Sequence, residues 1–444
     1  MQKIENWGRN PVIKSNVLYF ENINQLSNQI SSQSKLITFG NGRSYGDASL
    51  QDTILNTRRF NSLISFDEKE GILHCQSGIL IDEILRVFVP KGWFMPVTPG
   101  TKFITIGGAV AADVHGKNHH LDGSFSNHII ELEVMKANGE VIKCSRKDNV
   151  DFYNITIGGM GLSGTILSVK FLLRKIETSY IIKESKRLNS LESIMDEFEL
   201  NGDWRYSVGW IDGFSKGKNL GKGIFFKGNH ASINDLNNYY QKNNPLKAHK
   251  NNRIKIPFNC SKNLLNPIIG KLFNFINLVI HNYKGSSSIV HYDKFFYPLD
   301  KISNWNSLYG KDGFYQYQFV LPYNVSRNIF KKMFKVIFKY KIPSYLIVIK
   351  LFGEQKNFMS FPMKGFTVTF DFPNHKNILS LFGVLDKIVE ENGGRLYLAK
   401  DRHMNAKMFE NTYENAKDFK NSIAILNNGK PKFSSLLSDR LEIT

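Results

Sequence analysis

Cysteine is scarce: three in 444 residues, Cys75, Cys144 and Cys260. They lie far apart, form no CxxC, and an odd number cannot pair completely within one chain. That argues against a disulfide framework or a thiolate zinc site and fits a reducing, cytoplasmic compartment. Long apolar runs are missing too. Nothing reaches the ~20 apolar residues of a membrane-spanning helix, and the opening MQKIENWGRNPVIKS lacks the apolar core of a signal peptide. The nearest approach, residues 264–280, is broken by Pro267, Lys271 and three asparagines. It reads as a buried or interfacial amphipathic segment. Acidic residues are few, 39 against 58 Lys+Arg, a net charge of +19. Such an excess points to an anionic partner, whether nucleic acid, membrane or phosphorylated substrate. The lesser alternative is a basic proteome or simple solubility. No basic arm and no nucleic-acid-binding motif occurs, which sets nucleic acid aside. Internal repeats and low-complexity tracts are absent.

What remains is the composition of a large folded enzyme, 42% hydrophobic and 13% aromatic. The length fits two or three domains or one two-lobed protein. KLITFG (35–40) reads as a short strand, with others at 53–56 and 72–76. Ile81, Ile84, Leu85 and Phe88 share one helical face, and Pro90-Lys91-Gly92 ends that helix. Residues 129–136 alternate as a strand, and Asn138-Gly139 turns the chain into 140–143. A further strand follows GGMGLSG (158–164). Beyond residue 175 glycine thins out. Strands are expected at 293–302, 314–323, 344–353 and 365–373. Helices are expected at 324–340, with Ile329, Met333, Val336 and Ile337 on one face, and at 377–394.

The chemistry concentrates in glycine-rich loops. In FGNGRSYGDASL (39–50), Gly40, Gly42 and Gly46 surround Arg43 and Ser44. Glycine lets backbone approach a ligand closely, and successive N–H groups in such a turn make an anion nest. The spacing is not that of a Rossmann fingerprint, and a strand rather than a helix follows. A second block, PGTKFITIGGAVAADVHGKNHH (99–120), supplies small residues to lie against a flat ring system. The alternative is a tightly packed helix start. Together the blocks read as two walls of a flavin dinucleotide site. His115, His119 and His120 alone make a weak metal signal, since no partner sits at a recognised ligand spacing; no metal is expected.

TIGGAVAADVHGKNHH, preceded by GRSYGD and followed by IGGMGLSGTI, resembles the decaprenylphosphoryl-ribose 2′-oxidase family. These are flavin enzymes of the larger vanillyl-alcohol-oxidase-like, PCMH-type group. KFFYPLDKISNWNSLYGKDGFYQYQFVLP, IKLFG, GFTVTFDFP, GGRLYLAKD and LLSDRLEI extend the likeness over nearly the whole chain, most weakly at 180–285. The resemblance implies a two-lobed α+β fold: an FAD-binding domain (1–175), an α+β substrate domain (176–396) and a C-terminal segment (397–444) returning to the first. It implies FAD contacts from Thr38, Phe39, Gly40, Asn41, Gly42, Arg43, Ser44, Tyr45, Gly46, Asp47 and Ala48. To these it adds Gly100, Thr105, Ile106, Gly107, Gly108, Ala112, Asp113, Val114, His115, Ile166 and Tyr397. On the substrate side it implies Lys117, Tyr297, Gln316, Gln318, Lys350, Thr369 and Lys400, with Lys400 and His115 as the catalytic pair. Arg43 stands where covalent relatives of the larger group carry a flavin-linked histidine, so noncovalent FAD is expected. Thr369 stands where mycobacterial members carry the cysteine attacked by nitroaromatic inhibitors.

The implied reaction is oxidation of the 2′-hydroxyl of a polyprenyl-phosphoryl pentose, the first half of an epimerisation completed by a short-chain reductase partner. Peripheral contact with the inner face of an anionic plasma membrane would suit such a substrate. Residues 250–285, with Lys250, Arg253, Lys255, Lys262 and Lys271 among apolar residues, read either as a lipid-facing cover or as an ordinary helix pair. The competing readings are an aldonolactone or sugar-alcohol oxidase on the same fold and a non-catalytic glycolipid-binding flavin-fold protein. The alternative for Lys400 is a surface lysine paired with Asp401, and Gln316 and Gln318, taken alone, would read as a solvated strand face.

Overall fold

The computed structural model describes residues 1–215, 217–237, 239–250, 253–256, 266–281, 285–429 and 431–444. Cys260 and Lys262 lie outside them.

The N-terminal part builds two sheets. In the first, Thr53–Asn56 runs parallel to both Val12–Tyr19 and Ile37–Phe39. The helix Ile23–Ser31 makes the crossover, opened by Asn22, whose side chain accepts from Gln25 N. The second is antiparallel, in the order Leu63–Asp67, Ile72–Gln76, Thr165–Leu172, Ile129–Met135, Val141–Cys144. The helix Ile81–Phe88 buries Ile81, Ile84, Leu85 and Phe88 beside this sheet, the face its spacing predicted. Gly92, at φ 81°, lets the chain turn out of it.

The rest centres on an eight-stranded antiparallel sheet. Its order is Ser286–His291, Tyr180–Leu188, Gly223–His230, Tyr206–Ile211, Leu346–Phe352, Gly365–Pro373, Phe314–Pro322, Arg395–Leu396. One face is covered by the helices Leu191–Leu200, Tyr323–Tyr340 and Ile378–Glu391, packed on Phe319, Ile349, Val368 and Phe370. Strand periodicity of two puts Gln316, Gln318, Lys350, Thr369 and Asp371 on the other face. Gln318 there meets His115, which ties this face to the N-terminal part. The C-terminal residues close the structure: Phe433 bridges Leu36, and Arg440 pairs with both Asp47 and Asp401.

Three expectations need correction. Residues 293–302 are not a strand but the helix Tyr292–Phe296 followed by a tight turn, Pro298–Lys301. Phe295, Phe296 and Tyr297 are consecutive and all buried, so neither face alternates, and Pro298 stops the helix. In Tyr323–Tyr340 the buried stripe is Phe330, Met333, Phe334 and Ile337; Ile329 and Val336 sit at its margin. The described part of 264–280, the helix Pro267–Ile280, buries only Gly270, Asn274 and Leu278. No described helix is long and apolar enough to cross a membrane.

Candidate active site

The two glycine walls meet at backbone distance. A Cβ on Gly40 would stand 2.4 Å from Thr105 Oγ1, and one on Gly46 would stand 1.9 Å from the carbonyl oxygen of Asp401. Gly42 has φ 58°. Thr105 caps the short helix Ile106–Ala111, its hydroxyl accepting from Gly108 N at 3.1 Å. The third glycine cluster pins the end of that helix: Gly158 N donates to Val110 O and Met160 N to Ala111 O. The facing surfaces stay open. Gly108 is exposed, and a Cβ on Gly100 would meet nothing within 4 Å.

Two buried polar atoms beside the walls have no partner, Arg43 Nε and Ser77 Oγ. The Arg43 guanidinium stacks on Trp7 at 4.0 Å, and burial draws its pKa down to about 10, so it remains a cation at neutral pH. Unspent donors beside exposed glycine backbone fit the pyrophosphate of FAD.

The other residues of the loops hold these walls. Asn41 Nδ2 donates to Phe103 O, Tyr45 N to Ala399 O, and Thr38 Oγ1 lies 2.9 Å from Thr165 Oγ1. Ser44 O accepts from Trp7 N. Phe39, Ala48, Ile106, Val114 and Ile166 are buried apolar packing beneath them. Two acids expected at the cofactor are occupied elsewhere. The Asp47 carboxylate pairs with Arg440 at 2.9 Å. The Asp113 carboxylate accepts from Ser126 N, Asn357 Nδ2 and the Ser360 hydroxyl, while its backbone takes φ 38°. Both act through the loop they hold.

Three lysines gather around the site: Lys350 on the sheet face, Lys117 at the end of the second glycine block, and Lys400 just after the strand Arg395–Leu396. Lys117, Lys350 and Lys400 are enclosed by protein yet keep some accessible surface, as side chains lining a cleft do. Their pKa values are lowered to about 7, 8 and 7, chiefly by burial, with the charge of Lys350 contributing at Lys117 and Lys400 and Asp371 opposing it at Lys400. Lys400 Nζ sits 3.8 Å from the centre of the Tyr45 ring. Its neighbour Asp401 binds Arg440 and His403 instead, so the surface Lys400–Asp401 pair does not form. Lys117 Nζ donates to Phe296 O at 3.1 Å, turned toward the rings of Phe295 and Phe296.

Gln316 and Gln318 are buried, not a solvated strand face. Gln318 Nε2 donates to His115 Nε2 at 3.1 Å. Burial, then the charges of Lys350 and its neighbours, hold the His115 pKa well below 6.5, so the ring is neutral. His115 lies against Phe352, Phe361 and Tyr397, and the Tyr397 hydroxyl donates to Ala112 O at 2.9 Å. Thr369 pairs across strands with Gln318 and keeps some exposure. Tyr297 is wholly buried, one layer back, its hydroxyl 2.5 Å from Thr98 Oγ1. The three histidines diverge: His119 Nδ1 accepts from Gly353 N, and His120 Nε2 lies 2.9 Å from Trp204 O. Among the described residues no cluster of His, Cys, Asp or Glu is placed to hold a metal.

Sequence reasoning missed Asp371. It is fully buried, and Gln316 Nε2 donates to its Oδ1 at 2.6 Å. Its Oδ2 has no partner. Burial raises its pKa to about 7 against the opposing pull of the Gln316 bond and Lys400. The signal was an acid on the apolar strand GFTVTFDFP, in register with Gln316.

Comparison with known proteins agrees with this geometry. The family model for an FAD binding domain matches residues 17–145. Decaprenylphosphoryl-β-D-ribose oxidase of Mycolicibacterium smegmatis is 32% identical over 428 residues, 93% of this chain and 91% of that protein. The chain belongs to the decaprenylphosphoryl-ribose oxidase family. It is an FAD-dependent oxidoreductase acting on CH–OH groups, with the two-lobed α+β, PCMH-type fold. Two other relatives share less with this oxidase family member. D-2-hydroxyglutarate dehydrogenase of Rattus norvegicus is 35% identical over 127 residues, 27% of this chain and 24% of its own. A putative D-arabinono-1,4-lactone oxidase of Neurospora crassa is 27% identical over 168 residues, 37% and 29% respectively.

Proposed function

We propose that the protein oxidises the 2′-hydroxyl of a polyprenyl-phosphoryl pentose to the 2′-keto sugar, and that a short-chain reductase then completes an epimerisation. The observation that carries this reading is the near full-length likeness to a decaprenylphosphoryl-β-D-ribose oxidase. Three enclosed lysines and the unpaired carboxylate oxygen of Asp371 support it.

FAD, held noncovalently by the glycine walls and Arg43, supplies the hydride acceptor. The protein must do the rest. The alcohol loses a hydride from C2′ and a proton from oxygen as its C–O bond becomes a carbonyl. An alcohol proton does not leave unaided near neutral pH, so a base must take it. Lys400, neutral above about pH 7, is that base, and Asp371 is placed to tune its charge or accept the proton in turn. Lys350, still cationic at neutral pH, is the group in this reading that would hold the substrate phosphate. His115 is too weak a base to be charged there; through Gln318 it positions the sugar.

The protein works at the cytoplasmic face of an anionic membrane in this reading, and cell fractionation tests that placement. Acid precipitation tests the cofactor linkage: flavin in the supernatant agrees, and flavin pelleting with the protein refutes noncovalent binding. Anaerobic bleaching of the flavin by a polyprenyl-phosphoryl ribose tests the substrate.

A further inference from the structure

The helix Pro267–Ile280 is inside out. Gly270, Asn274 and Leu278, spaced by four, face the protein. A Cβ on Gly270 would meet Phe214 at 2.7 Å, so only glycine lets the helix seat there. Asn274 Nδ2 donates to Asp212 Oδ1 at 2.6 Å, and Leu278 packs with Trp210 and Ile224. The apolar surface points away. Ile268, Leu272, Phe273, Phe275, Val279 and Ile280 each leave more than half of their surface exposed, and Lys271 is the helix's single charge. A helix on a soluble protein turns its apolar stripe inward, and soluble monomers rarely expose so large a contiguous apolar patch.

Charge indicates what covers it. From Leu236 to Tyr292 the chain has eight lysines and arginines and no aspartate or glutamate, although 39 of its 444 residues are acidic. Lys242, Lys247, Lys250 and Lys271 are exposed. Apolar side chains in a stretch of chain whose charges are all positive complement the headgroup layer of an anionic bilayer. A second copy of the chain would set the same cations against each other.

The helix also lies beside the candidate active site. Leu278 packs with Trp210 and Leu346. Leu346 shares its strand face with Lys350, and Trp210 is the cross-strand partner of Val348.

We propose that the helix Pro267–Ile280 inserts its outward face into an anionic bilayer and brings the sheet face that carries Lys350 to the lipid surface. A sugar phosphate attached to a bilayer-resident polyprenyl chain would then reach the cleft without leaving the membrane. That consequence rests on the substrate proposed above; the insertion itself does not.

The test is cosedimentation of the full FAD-loaded chain with two kinds of vesicle, phosphatidylcholine alone and phosphatidylcholine mixed with phosphatidylglycerol. The wild type should pellet with the mixed vesicles and at least about tenfold less with the neutral ones, and added salt should weaken binding. The variant Leu272→Ser/Phe275→Ser/Val279→Ser, which removes only exposed side chains, should lose vesicle binding about tenfold or more while keeping its flavin spectrum. Wild type left in the supernatant with both vesicles overturns the proposal, as does a triple variant that binds equally well. A wild-type dimer that the variant converts to monomer, with no vesicle binding by either, overturns it in favour of self-association. Failure to oxidise a lipid-linked pentose would refute the substrate reading and leave the sedimentation result standing.

Discussion

Gln318 Nε2 lies 3.1 Å from His115 Nε2, a hydrogen bond spanning 203 positions of sequence. It joins the sheet face that carries Lys350 to the loop that carries the small-residue wall. A second bond from Gln318, 3.3 Å to Thr367 Oγ1, fixes the amide. Gln318→Ala leaves a buried imidazole nitrogen without its donor, a loss of about 1–3 kcal/mol. We expect kcat to fall roughly tenfold to a hundredfold, with the flavin spectrum retained. An unchanged kcat would remove the pair from the mechanism.

Lys400 and Asp371 set the pH dependence. A neutral amine is the active base, and burial brings Lys400 to about 7, so flavin reduction should rise with pH through about 7 and then level. Asp371 raises the Lys400 pKa. Asp371→Asn should therefore move the rising limb to lower pH. Lys400→Met should slow reduction by about a hundredfold or more while FAD stays bound. A limb that stays in place in Asp371→Asn would separate the two residues.

Thr369 marks a difference from the mycobacterial relatives that carry cysteine there. A hydroxyl is a far weaker nucleophile than a thiolate. Turnover in the presence of a nitroaromatic inhibitor should leave the intact mass of the wild type unchanged. Thr369→Cys should gain the adduct mass and lose activity irreversibly.

Arg440 joins the C-terminal segment to the first glycine loop by pairing with Asp47 and Asp401, both buried. Removing Arg440 leaves buried Asp47 without its cation and Asp401 with His403 alone, which costs about 3–5 kcal/mol. Arg440→Met should lower the midpoint of thermal unfolding and release FAD more readily. Unchanged stability and FAD retention would show that this ion pair does not hold the loop.

Much of this was legible in the sequence because local rules agreed with the fold. Ile81, Ile84, Leu85 and Phe88 kept helical spacing and were buried together. GFTVTFDFP alternated and became a strand with two distinct faces. The glycine walls were legible because close backbone approach leaves a compositional trace. Other features depended on partners distant in sequence. Tyr292–Phe296 read as strand because its aromatics cluster, and only burial on every side makes it a helix. The carboxylates of Asp47 and Asp113 gave no sequence sign of their partners, Arg440 for the first and Asn357 and Ser360 for the second. Asp371 was overlooked because one acid in an apolar strand gives no pattern, only a cross-strand neighbour.

The most direct measurement is anaerobic reduction of the bound flavin by a panel of polyprenyl-phosphoryl ribose, free pentoses and aldonolactones. The account predicts that the lipid-linked ribose phosphate bleaches the flavin and that the free sugars and lactones do so far more slowly. Fast bleaching by a lactone, with none by the lipid-linked sugar, would contradict it.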